Sequence, residues 1–136
     1  MLRKIEHIGI AVKDLAASNQ IFEDILGVAP YKQEAVESEY VLTSFFRIGE
    51  SKIELLQATS PDSAIARFLD KNKEGIHHIA FDVEDIYAEI ERLKSKGYSL
   101  IHDTPKDGAD GKIIAFMHPK SSNGVLLELC QDRIKK

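Results

Sequence analysis

The chain has 136 residues, 18 basic against 22 acidic side chains for a net charge of −4, 43% hydrophobic and 29% charged residues, and one cysteine, Cys130. A chain of this length buries roughly two thirds of the surface its unfolded state exposes, so one domain with its own core is expected without a disulfide or structural metal. The balance excludes a disordered or fibrous chain and a Cys-rich zinc site; without a long basic stretch it also argues against a nucleic-acid partner. No apolar run approaches a membrane span and no signal peptide is evident, so a cytoplasmic protein is expected.

In chain order, the first element is a strand through Glu6-His7-Ile8-Gly9-Ile10-Ala11-Val12, with Ile8, Ile10 and Val12 on one face. Asp14 then caps a helix whose stripe is Leu15, Phe22, Ile25 and Leu26, and Gly27 ends it. Three β-prone runs follow, at about 31–36, 40–48 and 52–58. Ser60-Pro61 opens a linking helix, with Ser60 as cap and Pro61 at its first position; Ile65, Phe68 and Leu69 form its docking face. Residues 71–75 lead into a second copy of the opening strand, His77-His78-Ile79-Ala80-Phe81-Asp82-Val83. Asp85 caps its helix, Ile86, Ile90 and Leu93 form the stripe, and Gly97 ends it. Runs at about 99–103, 112–118 and 124–130 complete the second half. Each half thus reads as strand, helix and three strands. The expectation is one domain over 1–136, with module one at about 1–59, the linking helix at about 60–75 and module two at about 76–131. The fold class is α+β, with paired βαβββ modules forming curved mixed sheets around a cleft.

The repeat puts His7 and His78 in equivalent places, each on the face opposite its helix. Small neighbours on that face, Gly9 and Ala11 or Ala80, are unlike a packed core and suit a site where something else fills the space. A second match pairs Ile53-Glu54-Leu55 with Leu127-Glu128-Leu129. A carboxylate inside an apolar strand is costly unless paired or metal-bound; one alone suits a solvated sheet face, but two at equivalent places favour a site. Two imidazoles and two carboxylates form a donor set for a divalent ion such as Co, Mn, Ni, Zn or Mg. Cys130 reads as a small buried apolar side chain, His77 as a strand-end residue on the opposite face and His102 as a loop residue. His118 is a weaker candidate for ligand contact.

With these residues in place the chain resembles the vicinal oxygen chelate superfamily, which includes glyoxalase I and the extradiol dioxygenases, and within it the methylmalonyl-CoA epimerase family. The resemblance covers essentially the whole chain. It is most specific at Gly75-Ile76-His77-His78-Ile79-Ala80-Phe81, at Ser60-Pro61-Asp62-Ser63-Ala64-Ile65, and at Phe116-Met117-His118-Pro119-Lys120-Ser121 with Gly124-Val125-Leu126-Leu127-Glu128-Leu129. It implies metal ligands at His7, Glu54, His78 and Glu128, an acyl-CoA substrate, a homodimer, and inversion at carbon 2 of methylmalonyl-CoA between the (2R) and (2S) forms. The implied route is proton abstraction and return through a metal-stabilised enolate. Glu128 is the leading base; some relatives carry the second in the strand before the Glu54 strand, where this chain has Val41-Leu42-Thr43-Ser44, leaving Glu54 or a water for that role. The alternatives are a glyoxalase-type isomerase of a glutathione adduct and a metal-free small-molecule binding protein.

Overall fold

A computed structural model describes residues 1–133. Its elements follow the order β1 (Leu2–Ala11), α1 (Leu15–Leu26), β2 (Lys32–Val36), β3 (Val41–Ile48), β4 (Ser51–Ala58), α2 (Ala64–Lys71), β5 (Gly75–Val83), α3 (Ile86–Ser95), β6 (Lys106–Asp107), β7 (Lys112–Phe116) and β8 (Leu127–Asp132). The chain divides into two compact units, His7–His77, and Met1–Glu6 with the residues from His78 onward. Strand β1 supplies residues to both.

In the His7–His77 unit, β2 and β3 pair antiparallel, β3 and β4 pair antiparallel, and β4 runs parallel to the end of β1. A parallel neighbour needs a crossover, and α1 begins it. The Asp14 carboxylate accepts from Ala17 N at 3.1 Å, satisfying one orphan donor of the first turn. Gly27 ends the helix at φ 75°, a left-handed conformation that a Cβ disfavours. The core under α1 joins Val12, Leu15, Phe46 and Leu55, with Ile10, Phe22, Leu26 and Ile53 around them. Ile25 does not join this stripe and is 71% exposed. At 3.6 residues per turn it lies roughly 80° round the helix from Leu15, whereas Phe22 and Leu26 flank the Leu15 line.

The other face of this sheet is covered at one end by α2, whose Ile65 is buried with Ala11, Val41 and Leu56 while Phe68 and Leu69 pack beside them. The cap of α2 is Ser63, not Ser60: Ser63 Oγ accepts from Ala66 N at 2.9 Å. Ser60 and Pro61 instead form the preceding turn, in which Ser60 Oγ accepts from Asp62 N at 3.1 Å and Ser63 N donates to Ser60 O. Both serines offer the same hydroxyl, and the turn closing on Ser63 decides which one caps.

The second unit repeats the pattern. Strand β5 runs parallel to β8, β8 pairs antiparallel with β7, and β7 with β6. Asp85 accepts from both Tyr87 N and Ala88 N at the start of α3, and Gly97 takes φ 90° just past its end. Val83, Ile86, Ile90, Ile113, Ala115 and Leu129 form the core beneath that helix. Within α3, the buried Glu89 carboxylate bonds the amino group of Met1 and is gripped by Arg92 at 2.8 Å. The Met1 amine first, and Arg92 with it, hold Glu89 below the usual carboxylate range despite burial.

The run at 99–103 is not a strand. Ile101 N bonds Phe116 O and His118 N bonds Ser99 O, leaving only a single bridge between Leu100 and Met117. Pro105, which has no N–H to extend a ladder, follows closely, and pairing with β7 resumes at Lys106. The last strand also begins later than expected, at Leu127, because Asn123 and Gly124 both take positive φ in the preceding turn.

Candidate metal centre

In the His7–His77 unit, alternation along the strands sends Ile8, Ile10, Ile53 and Leu55 toward α1 and leaves His7, Gly9, Glu54 and Leu56 on the opposite face. The parallel register places Gly9 beside Glu54 and His7 beside Lys52. His7 and Glu54 are both buried, and His7 Nε2 lies 3.2 Å from Glu54 Oε1. Gly9 brings no side chain against the carboxylate.

The second unit builds the same pair from the same parts. Ala80 lies beside Glu128 in the register of β5 and β8, as Gly9 does beside Glu54. His78 Nε2 stands 3.1 Å from Glu128 Oε1, with both side chains buried. The His78 ring meets Phe116 edge-on at 5.7 Å, and Phe116 is the cross-strand neighbour of Glu128 on β7. Each half therefore contains one histidine and one glutamate of the four candidate residues, side by side.

Neutral imidazole nitrogen and carboxylate oxygen are the donors that divalent first-row ions and zinc accept, with no thiolate to select a soft metal. Two carboxylates together would also balance a divalent charge. By this chemistry the residues present fit a divalent ion.

The structure adds a feature missed in the strand pattern. Gln57, three residues after Glu54 and on the opposite face, accepts from Leu15 N at 2.6 Å through Oε1. Gln131, three residues after Glu128, accepts from Ile86 N at 2.7 Å. Each glutamine thus ties the carboxylate-bearing strand to the first residue of its helix, supplying a donor that the helix cannot satisfy internally. The recurrence of Glu-x-x-Gln at 54–57 and 128–131 is the sequence signal for this tie.

The remaining histidines have structural neighbours. His77 meets Phe68 edge-on at 5.0 Å, and His102 Nδ1 accepts from Phe116 N at 3.4 Å. His118 Nδ1 accepts from Lys120 N at 3.2 Å, capping the short 3-10 turn at Pro119–Ser122. Cys130 is fully buried with Ala80 and Ile114, and its thiol donates to Phe81 O at 3.4 Å. Burial, reinforced by the negative charge of Glu128, pushes the thiol far up in pKa. The native protein should therefore not react with an aromatic disulfide reagent at neutral pH, and should release one equivalent once denatured. Rapid reaction of the native chain would contradict this burial.

Residues 6–116 match the model of the Glyoxalase/Bleomycin resistance protein/Dioxygenase superfamily. The chain is 41% identical to the ethylmalonyl-CoA/methylmalonyl-CoA epimerase of Cereibacter sphaeroides over 96% of its own length and 99% of that protein. It is 39% identical to human mitochondrial methylmalonyl-CoA epimerase over 96% of this chain and 74% of that one. A variant of Streptomyces coelicolor methylmalonyl-CoA epimerase in complex with 2-nitronate-propionyl-CoA is 37% identical and superposes with a TM-score of 0.93, covering 97% of this chain and 96% of that one. The chain belongs to the methylmalonyl-CoA epimerase family. Its vicinal oxygen chelate fold is the α+β fold of paired modules and mixed strands expected from the repeat. Strand β3 pairs with the strand that carries Glu54. The residues there that share a face with Glu54 are Val41, Thr43 and Phe45, with Arg47 beyond them, and none is a carboxylate. The Thr43 hydroxyl instead donates to Glu34 O at 2.9 Å.

Proposed function

We propose that this chain catalyses metal-dependent epimerisation at carbon 2 of methylmalonyl-CoA, interconverting the (2R) and (2S) forms. The observation that carries the reading is the buried His–Glu pair at repeat-equivalent positions in each half, in a chain of the epimerase family. The proposed metal set is His7, Glu54, His78 and Glu128. A divalent ion held there, drawn from Co, Mn, Ni, Zn or Mg, would supply Lewis-acid charge to the oxygens of the substrate.

The proton chemistry falls to side chains. Carbon 2 lies between a thioester and a carboxylate, so its C–H bond is weakly acidic. Glu128 takes that proton and becomes a carboxylic acid, while the bonding pair moves into the thioester and leaves carbon 2 planar. Return of a proton to the opposite face completes inversion, and that donor is Glu54 or a water. The apolar strands around both carboxylates keep bulk water from the planar species. No net oxidation occurs, so no redox cofactor is required.

The acyl-CoA partner and homodimeric assembly that belong to this proposal rest on family membership, and the cytoplasmic location on likeness to the bacterial enzyme of Cereibacter sphaeroides; among the described residues no helix is long and apolar enough to cross a membrane. The test combines metal analysis of the purified protein with (2R)-methylmalonyl-CoA in deuterium oxide. Deuterium at carbon 2 with appearance of the (2S) form is expected, and should cease on chelation and return with added metal. Isomerisation of a glutathione hemithioacetal without exchange at carbon 2 would instead establish the glyoxalase reading. Tight binding with no turnover would establish a binding protein.

A further inference from the structure

Inversion at carbon 2 places a demand on the group that serves its second face: that group must recover its proton from solvent between turnovers. Glu54 meets this poorly, since its side chain is 6% exposed and one oxygen faces His7 Nε2 at 3.2 Å. A second carboxylate lies on the same face of the same unit. Glu34 on β2 is in register with Thr43 on β3, whose own partner on β4 is Leu56, two residues from Glu54. Directly paired residues share a face. Glu34 and Glu54 are thus the two carboxylates that β1–β4 carry there among the described residues of this unit. Two strand spacings and a two-residue offset set their Cα atoms about 12 Å apart. Val36, next on this face, packs beside the residues under α2, so Glu34 stands where that cover ends. Its side chain is 30% exposed.

We infer that Glu34 is the proton-transfer group for the second face of carbon 2, acting through the water that the proposed mechanism admits there. The inference deepens the epimerase reading and rests on it. Glu34 is held in place by its neighbours. Thr43, fully buried, donates its hydroxyl to Glu34 O at 2.9 Å and fixes the backbone, while Lys32 Nζ lies 3.3 Å from Glu34 Oε1. A carboxylate has about four acceptor positions, so an ammonium on one oxygen leaves the group able to take a proton. In one direction Glu128 removes the carbon 2 proton. Glu34, as a carboxylic acid, gives its proton to the water, which passes one of its own to the planar carbon. An O–H bond breaks at Glu34, a C–H bond forms on the second face, and solvent restores the acid. In the other direction Glu34 receives the proton by the same route. Glu54 is then released from acid–base work and remains a ligand.

The experiment follows each epimer of methylmalonyl-CoA separately in deuterium oxide with the metal-loaded protein. Glu34→Gln should slow inversion by about 10²–10⁴-fold with metal content unchanged. The loss should be one-sided. The epimer whose proton faces Glu128 should still take up deuterium at carbon 2 with retention, and the other should be inert. Glu34→Asp, which keeps the carboxylate, should recover part of the inversion. Glu34→Ala should regain activity with added formate, a carboxylate small enough to enter the truncated site; a purely structural loss would not respond. Inversion by Glu34→Gln at the wild-type rate, or equal loss of exchange from both epimers, would overturn the assignment. A folded Glu34→Ala protein that ignores formate would do the same. A wild-type protein that exchanges neither epimer defeats the epimerase reading itself, so the two failures are separable.

Discussion

Glu128→Gln should bind its thioester substrate yet turn over about 10²–10⁴-fold more slowly, the usual cost of removing a general base. The amide occupies the same volume and keeps a carbonyl oxygen, but it cannot accept a proton at neutral pH. Glu54→Gln should retain its metal and appreciable activity, because an amide oxygen still serves as a ligand. The asymmetry between the variants is the informative measurement, with metal content determined for each. If both lose activity alike with metal retained, Glu54 is the base for the second face. If neither loses much, proton transfer resides elsewhere and the proposed mechanism fails.

Phe46→Ala is expected to lower stability by about 3–5 kcal/mol, read from urea denaturation. Phe46 is fully buried against Leu55, Val12 and Leu15, and its ring lies 6.3 Å from that of Phe22. Truncation leaves a void among side chains that two strands and α1 hold in place. Ile25→Ala should change stability by no more than about 0.5 kcal/mol, since its side chain faces solvent. A cost for Ile25→Ala comparable to that of Phe46→Ala would mean that α1 packs on a different face.

That contrast also marks where the sequence could be read. Alternation at Ile8, Ile10 and Val12, caps at Asp14 and Asp85, and glycines after both helices are local signals, and the modules follow them closely. The placement of the His–Glu pairs was legible because a repeat compares the chain with itself: one glutamate in a strand fits a solvated face, and two at matching places favour a site. Ile25 falls off the buried stripe because the apolar pattern along the helix is wider than the contact the helix makes. The run near Leu100 looked like a strand by its apolar pair, but the backbone bonds beyond Leu100 never formed a ladder. Gln57 and Gln131 look like ordinary polar strand residues until the helix amides they accept from are known.

The odd spacing within Glu-x-x-Gln has a consequence for assembly of the sheets. Glu54 and Gln57 point to opposite faces, as do Glu128 and Gln131. A one-residue slip of either strand would turn its glutamate into the apolar layer beneath the helix and carry its glutamine away from the helix start at the same time. Two unrelated penalties, an unpaired buried charge and an orphaned amide, then fall on the same error. The fold thus proofreads the register of its carboxylate strands from both sides, through the chain's own contacts alone.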